Sequence, residues 1–222
     1  MTPPARSRIP AWWRSVAAGA FAAAVSCAIG WVFWQQDLRY ASPTPPPAGW
    51  HRPSVGAAVR LPAALERLRA SRPGQPLLLH FFNPSCPCSR FNVDHVRALT
   101  SRFGAEVTVV AVLAEGEPAV MQAAYRALQL DVPHYIDADR RLAEALGVYA
   151  TPQAAILDGA GRLYFVGNYN RTRYCREPAT EFARLALEAV VAGARPPAIT
   201  PAAAIAYGCP LPARRSAAGA GL

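Results

Sequence analysis

Leu77-Leu78-Leu79-His80-Phe81-Phe82-Asn83-Pro84-Ser85-Cys86-Pro87-Cys88-Ser89-Arg90 is the stretch that decides how this chain is read. Its first six residues are an apolar run broken only by His80, the pattern of a strand buried on both faces. Asn83-Pro84-Ser85 reads as a turn. Two cysteines one residue apart follow, at the head of an amphipathic segment over residues 86–103. Cys88, Phe91, His95, Leu99 and Phe103 form its apolar stripe, and Gly104 is its stop. The order is therefore strand, turn, two thiols and helix. A helix start favours negative charge, and the thiolate is the nucleophilic form of cysteine.

Outward from this stretch the pattern alternates. Residues 60–70 read as a helix stopped by Arg72-Pro73-Gly74. Residues 107–113 form a Val-rich strand, 117–130 a helix with Pro118 in its first turn, and His134–Ile136 a short strand. Residues 140–146 form a helix ended by Gly147. Gln153–Leu157 and residues 162–166 make a hairpin around Asp158-Gly159-Ala160-Gly161, and residues 180–191 form the last helix. This is an α/β plan in three layers with a central mixed sheet.

Two motifs carry a family resemblance: the cysteine pair at a helix start, and Gly147-Val148-Tyr149-Ala150-Thr151-Pro152 ahead of the hairpin. Over residues 61–192 the chain resembles the thioredoxin-like superfamily, in particular the membrane-tethered, exported thiol–disulfide proteins of bacteria. The resemblance implies that Thr151-Pro152 is the cis-proline dipeptide that faces the cysteines. The backbone of Thr151 would then pair with a substrate chain. It implies Cys86 as attacking thiol, with no organic cofactor, since the cysteines carry the electrons. His80 stands six residues before Cys86, where thioredoxins keep a buried acid. It could exchange a proton with the second thiol, or be a structural histidine satisfied by a hydrogen bond.

The chain departs from that family in its cysteine spacing. One residue, Pro87, separates the thiols instead of two, so Ser89 takes the usual resolving position. Three outcomes compete. Cys86 and Cys88 form a constrained disulfide. Alternatively, Cys86 forms a mixed disulfide resolved by Cys175 or Cys209. In the third, the thiols bind Cu(I), as a metallochaperone would, but no third ligand is obvious. Redox use is favoured, and a non-catalytic interaction domain is the remaining alternative. Should Cys175 and Cys209 take no part in turnover, a Cys175–Cys209 disulfide would tie the tail to the domain. His95, polar on an apolar stripe, reads as a core histidine more readily than a catalytic one. A peroxiredoxin would place Thr where Asn83 stands.

The N-terminal segment sets the location. From Ser15 to Gln36 there is no charge, and residues 16–34 are almost wholly apolar, enough to cross roughly 30 Å of hydrocarbon. Trp12, Trp13, Trp31 and Trp34 stand near its ends. Arg6, Arg8 and Arg14 precede it, whereas Asp37 and Arg39 cancel after it. The positive-inside bias puts residues 1–14 in the cytoplasm and the rest outside. Because the apolar run continues past its small residues, an uncleaved signal-anchor (15–36) is expected rather than a cleaved signal peptide. Ala24-Val25-Ser26-Cys27 resembles a lipobox without its leading Leu. With the resemblance, this implies a single-pass protein of a bacterial inner membrane with a periplasmic redox-active centre. Its partners would be thiol- or disulfide-containing envelope proteins.

A Pro-rich linker (37–60) would hold the domain (61–192) off the bilayer, and the tail (193–222) would be loosely ordered apart from Tyr207-Gly208-Cys209. The net charge of +9 comes mostly from scattered arginines, including Arg214 and Arg215. No basic stripe interleaves with aromatics, so nucleic acid is not implied. Four cysteines outside the span are too few for a disulfide scaffold and fit either structural pairs or redox use.

Overall fold

A computed structural model describes residues 10–36, 38, 42–114, 116–171, 175 and 177–211. The chain divides into two units, Met1–Ala41 and Ser42–Leu222. The first holds helix α1 (Ala11–Gln36), whose stretch Trp12–Gln35 has a mean hydropathy of 2.0 and the length to cross a membrane. Its large apolar side chains, among them Phe21, Trp31 and Phe33, are exposed. Arg6, Arg8, Asp37, Arg39, Arg214 and Arg215 lie outside the described residues.

The second unit is built on strand β1 (Leu77–Phe82), central in a five-stranded sheet. It pairs in parallel with β2 (Thr108–Leu113), which pairs in parallel with β3 (His134–Ile136). On its other side it pairs antiparallel with β5 (Gln153–Leu157), which pairs with β6 (Leu163–Gly167). A separate pair joins β4 (Ala150–Thr151) to β7 (Cys209–Pro210). The alternation of side chains along β1 divides the core. Leu77, Leu79 and Phe81 face one layer, with Leu65 of helix α2 (Ala63–Ala70) and Leu142 of α6 (Arg141–Ala145). Leu78 and Phe82 face the other. There they join α4 (Val93–Phe103), α5 (Pro118–Ala127) and α7 (Phe182–Val191). The fold is thioredoxin-like, as expected.

Local chemistry fixes the element ends. The Glu117 side chain accepts from the Val120 amide at the start of α5. The carboxylate of Asp137 accepts from the amides of Leu142 and Ala143 at the start of α6. Asp158 Oδ1 accepts from Ala160 and Arg162 and closes the β5–β6 hairpin.

Three expectations need correction. The helix over 86–103 is two helices, α3 (Pro87–Phe91) and α4, meeting at Asn92. The stripe accordingly shifts: Phe91 is 45% exposed, while Val93 and Val96 are buried. Residues 42–60 are not a free spacer. The Trp50 indole donates to the Gly147 carbonyl, and the Arg52 guanidinium to Val166 and Ala204. Proline removes backbone donors, and these side chains supply donors instead. Nor is the tail loose up to residue 211. Thr200 caps α8 (Pro201–Ala204), Ala203 and Ala206 are buried, and the Asn168 amide donates to the carbonyls of Ala202 and Ile205.

Leu187 of α7 is fully buried in the larger core layer. Leu187→Ala is expected to lower unfolding free energy by about 2–5 kcal/mol, read by denaturant titration. An unchanged midpoint would contradict this packing.

Candidate functional site

The turn after β1 is built by its own side chains. Asn83 Oδ1 accepts from the Ser85 amide, and the Asn83 amide donates to Ser89 Oγ. This delivers Cys86 as the residue capping α3, with Pro87 in the first helical position. Cys86 is bonded to Cys209, 123 positions away, and is only 2% exposed. Cys209 arrives on β7, directly opposite Thr151 of β4.

The tail strand is gripped from two sides. The Leu211 amide donates to the Tyr149 carbonyl, and the Ala206 amide to the Tyr149 hydroxyl. On the other side, the Thr44 amide donates to the Ala206 carbonyl and its hydroxyl to the Gly208 carbonyl. The Thr151–Pro152 bond, immediately after the residue facing Cys209, is cis.

Neither a Cys86–Cys88 nor a Cys175–Cys209 disulfide is formed. Cys209 reaches Cys86 because the β4–β7 pairing sets its position. Cys175 instead points its thiol at Asn92 Oδ1, 3.1 Å away. Burial, aided by the charge of Glu181, pushes the Cys175 thiol up to about 12, so it stays protonated at neutral pH. A protonated thiol is a poor nucleophile, which disfavours Cys175 as the resolving group.

Cys88, also 2% exposed, is outside any disulfide. With Asn92, Pro152, Tyr169, Cys175 and Tyr207 it lines a cavity of about 40 Å³. Behind this cavity lies a buried polar group. His80 occupies the β1 face between Ala111 and Ala154, whose small side chains leave room for the ring. Its Nδ1 is 2.7 Å from the Tyr169 hydroxyl, and the edge of Tyr169 also meets the His95 ring. Burial, with His95 nearby, holds His80 at about 3, and burial lowers His95 as well. Burial raises Tyr169 well above the phenol range. His80 and Tyr169 are therefore both neutral at neutral pH and share one hydrogen bond.

The structure thus brings Cys86, Cys209, Thr151 and Pro152 together at one strand edge, with Cys88 beside Pro152. His80 connects to this region through Tyr169, a residue that, like Asn92, was not among the expected site residues. The run Asn168-Tyr169-Asn170 after β6 was the available signal: three buried polar residues where a loop was expected. Among the described residues, no group of three His, Cys, Asp or Glu gathers as metal ligands. Cys86 Sγ, one of the two thiols considered as Cu(I) ligands, is engaged in the bond to Cys209.

The family model described as "Domain of unknown function (DUF6436)" matches residues 57–210, a region that takes in Cys209 and β7. No curated protein matches the chain. Among solved structures, a hypothetical protein of Sinorhizobium meliloti is similar at 21% identity and a TM-score of 0.59, covering 73% of this chain and 96% of its own. An uncharacterized conserved protein of Geobacillus kaustophilus is similar at 20% identity and 0.59, covering 79% and 96%. A candidate thiol:disulfide interchange protein DsbE of Chlorobium tepidum is similar at 16% identity and 0.50, covering 62% and 98%.

The buried His80 sets a pH dependence. Unfolded, it takes a proton near pH 6.5; folded, only near 3. Between these values the unfolded chain binds more protons, so stability falls as pH drops from 6.5 toward 3, with no His80 contribution above 6.5. In His80→Asn this component disappears, although His95 still titrates. Urea unfolding from pH 7 to 4 is expected to give wild-type and variant profiles that diverge by up to about 1.4 kcal/mol per pH unit. Parallel profiles would show that His80 is not a buried neutral group.

Proposed function

This chain belongs to the DUF6436 family, and from the thiol site on its thioredoxin-like domain we propose that it is a membrane-tethered thiol–disulfide oxidoreductase acting on envelope proteins. The observation that carries the reading is Cys86. It caps α3 and is bonded to a cysteine that lies opposite Thr151 and next to cis Pro152. Amide groups at a helix start favour a thiolate at that position. Thr151 and Pro152 dock the substrate segment.

In the reducing direction, an external dithiol first opens Cys86–Cys209. One of its thiolates attacks a sulfur of the bridge, and the displaced cysteine leaves with the electron pair and takes a proton. The second thiol of the donor then resolves the mixed disulfide, leaving the donor oxidised and Cys86 and Cys209 as thiols. The Cys86 thiolate next attacks a substrate disulfide, expelling one substrate thiolate, which is protonated. Cys209 attacks Cys86 Sγ, frees the second substrate thiol and restores the Cys86–Cys209 bond. Two electrons and two protons pass from donor to substrate. The same steps run backwards oxidise a substrate dithiol.

Cys88 is the second thiol within the motif, able to take Cys86 Sγ over from Cys209. Its route for protons is the Tyr169–His80 pair behind the shared cavity. In this reading α1 is the anchor, with residues 1–14 cytoplasmic and the domain in the periplasm. A lasting disulfide belongs in an oxidising compartment.

Exchange is measured with the full chain in detergent, by coupling reduction of a protein disulfide such as insulin's to a dithiol donor. Cys86→Ser is expected to lower the rate by at least about a hundredfold, on the order of losing a covalent nucleophile. Turnover that survives Cys86→Ser would exclude the reading.

A further inference from the structure

Residues 206–211 occupy the groove that the oxidoreductase reading assigns to substrate. The strand lies antiparallel to β4, its cysteine is opposite Thr151 and bonded to Cys86, and the nucleophile is closed to solvent beneath it. The segment that fills this groove belongs to the same chain. Gly208 adds a second, independent feature. Its φ is +147, and a Cβ placed there would run into the Thr151 carbonyl oxygen. Backbone meets backbone at that point, so no side-chain adjustment relieves the clash. The neighbouring positions are less restricted: Tyr207 is 38% exposed and Pro210 is exposed.

The grip on this strand is divided. Up to Ile205 the tail is fastened to the end of β6 by Asn168. Beyond it, the strand is fixed by hydrogen bonds to Thr44 and Tyr149, by the short β4 pairing and by the disulfide. Opening the disulfide therefore removes the one covalent hold on residues 206–211 and leaves the Asn168 anchor in place.

We propose that residues 206–211 are a tethered stand-in for substrate. They block the Cys86 site in the oxidised protein, and they display the motif the groove selects: an extended segment with glycine immediately before its cysteine. This rests on the oxidoreductase reading and adds both a self-blocked resting state and a substrate class to it. The glycine is the specificity element, because the Thr151 carbonyl leaves no space for a β-carbon one residue ahead of the reacting sulfur. Reduction vacates the groove while the tail remains held nearby, so Cys209 returns once a substrate has reacted.

The test uses the full chain in detergent, reduced and freed of reductant, as Cys209→Ser. Two peptides with the sequence of residues 206–211 are compared, one native and one with valine replacing the glycine. Each carries thionitrobenzoate as a disulfide on its cysteine. Attack by Cys86 on the peptide sulfur forms the mixed disulfide and expels coloured thionitrobenzoate with the electron pair. The double variant Cys86→Ser/Cys209→Ser gives the background. The glycine peptide is expected to react about tenfold or more faster than the valine peptide, the factor that an overpacked site typically gives. Oxidised wild type should release thionitrobenzoate from neither peptide. Equal rates for both peptides, while the small reagent dithiobis(nitrobenzoate) still reacts at Cys86, would overturn the substrate class and leave the oxidoreductase reading standing. Ready reaction of the oxidised wild type would overturn the self-block. Absence of any Cys86-dependent release, from peptides or small reagent, would bring down the oxidoreductase reading together with the inference.

Discussion

The covalent bond between Cys86 and Cys209 is the constraint on which the functional part of this structure depends. It joins the head of α3, in the first half of the domain, to a strand close to the end of the described chain. Only by holding that strand does the domain cover Cys86, line the small cavity with Tyr207 and complete the β4 edge. The segment before α2 serves the same end. Thr44 clasps the strand from its outer side, and Arg52 fastens the α8 end to β6. A proline-rich stretch and an alanine-rich tail, both short of local structure of their own, thus stabilise one another on the domain surface.

Beneath that surface the site is a polar island in an apolar sheet. His80 stands in a strand otherwise made of Leu and Phe, and it is tolerated because Ala111 and Ala154 flank it and Tyr169 provides a hydrogen bond. A buried imidazole costs stability unless it remains neutral and bonded. Several buried polar atoms of the domain, His80 Nε2, Asn92 Nδ2, Thr151 Oγ1 and Gln153 Oε1 among them, have no hydrogen-bond partner among the described residues. Unsatisfied groups of this kind concentrate where a protein exchanges packing for chemistry.

The fold was legible because hydrophobic periodicity is local. Leu77–Phe82, His134–Ile136 and Gln153–Leu157 have the bounds expected from sequence. The helix break at Asn92 was not, since a single capping-type residue inside an apolar-periodic run does not by itself mark a helix end. At the site, Cys86 and Thr151-Pro152 stood out as motifs. Their partner was one of two candidates, Cys175 or Cys209, and was not singled out because Cys209 lies in a stretch without periodicity, and its pairing is set by a backbone contact that glycine permits at residue 208. Tyr169 escaped for a related reason: its meaning comes from His80, 89 positions away. Long-range polar contacts leave no periodic trace.

The most direct measurement of the account is disulfide mapping by mass spectrometry of the full chain, equilibrated across glutathione buffers of graded poise and quenched by alkylation. The account predicts that a Cys86–Cys209 cross-link converts reversibly to two alkylated thiols as the buffer becomes more reducing, while Cys175 stays a thiol throughout. A Cys86–Cys88 cross-link in place of Cys86–Cys209 at the oxidising end of the series, or a Cys175–Cys209 cross-link, would contradict it.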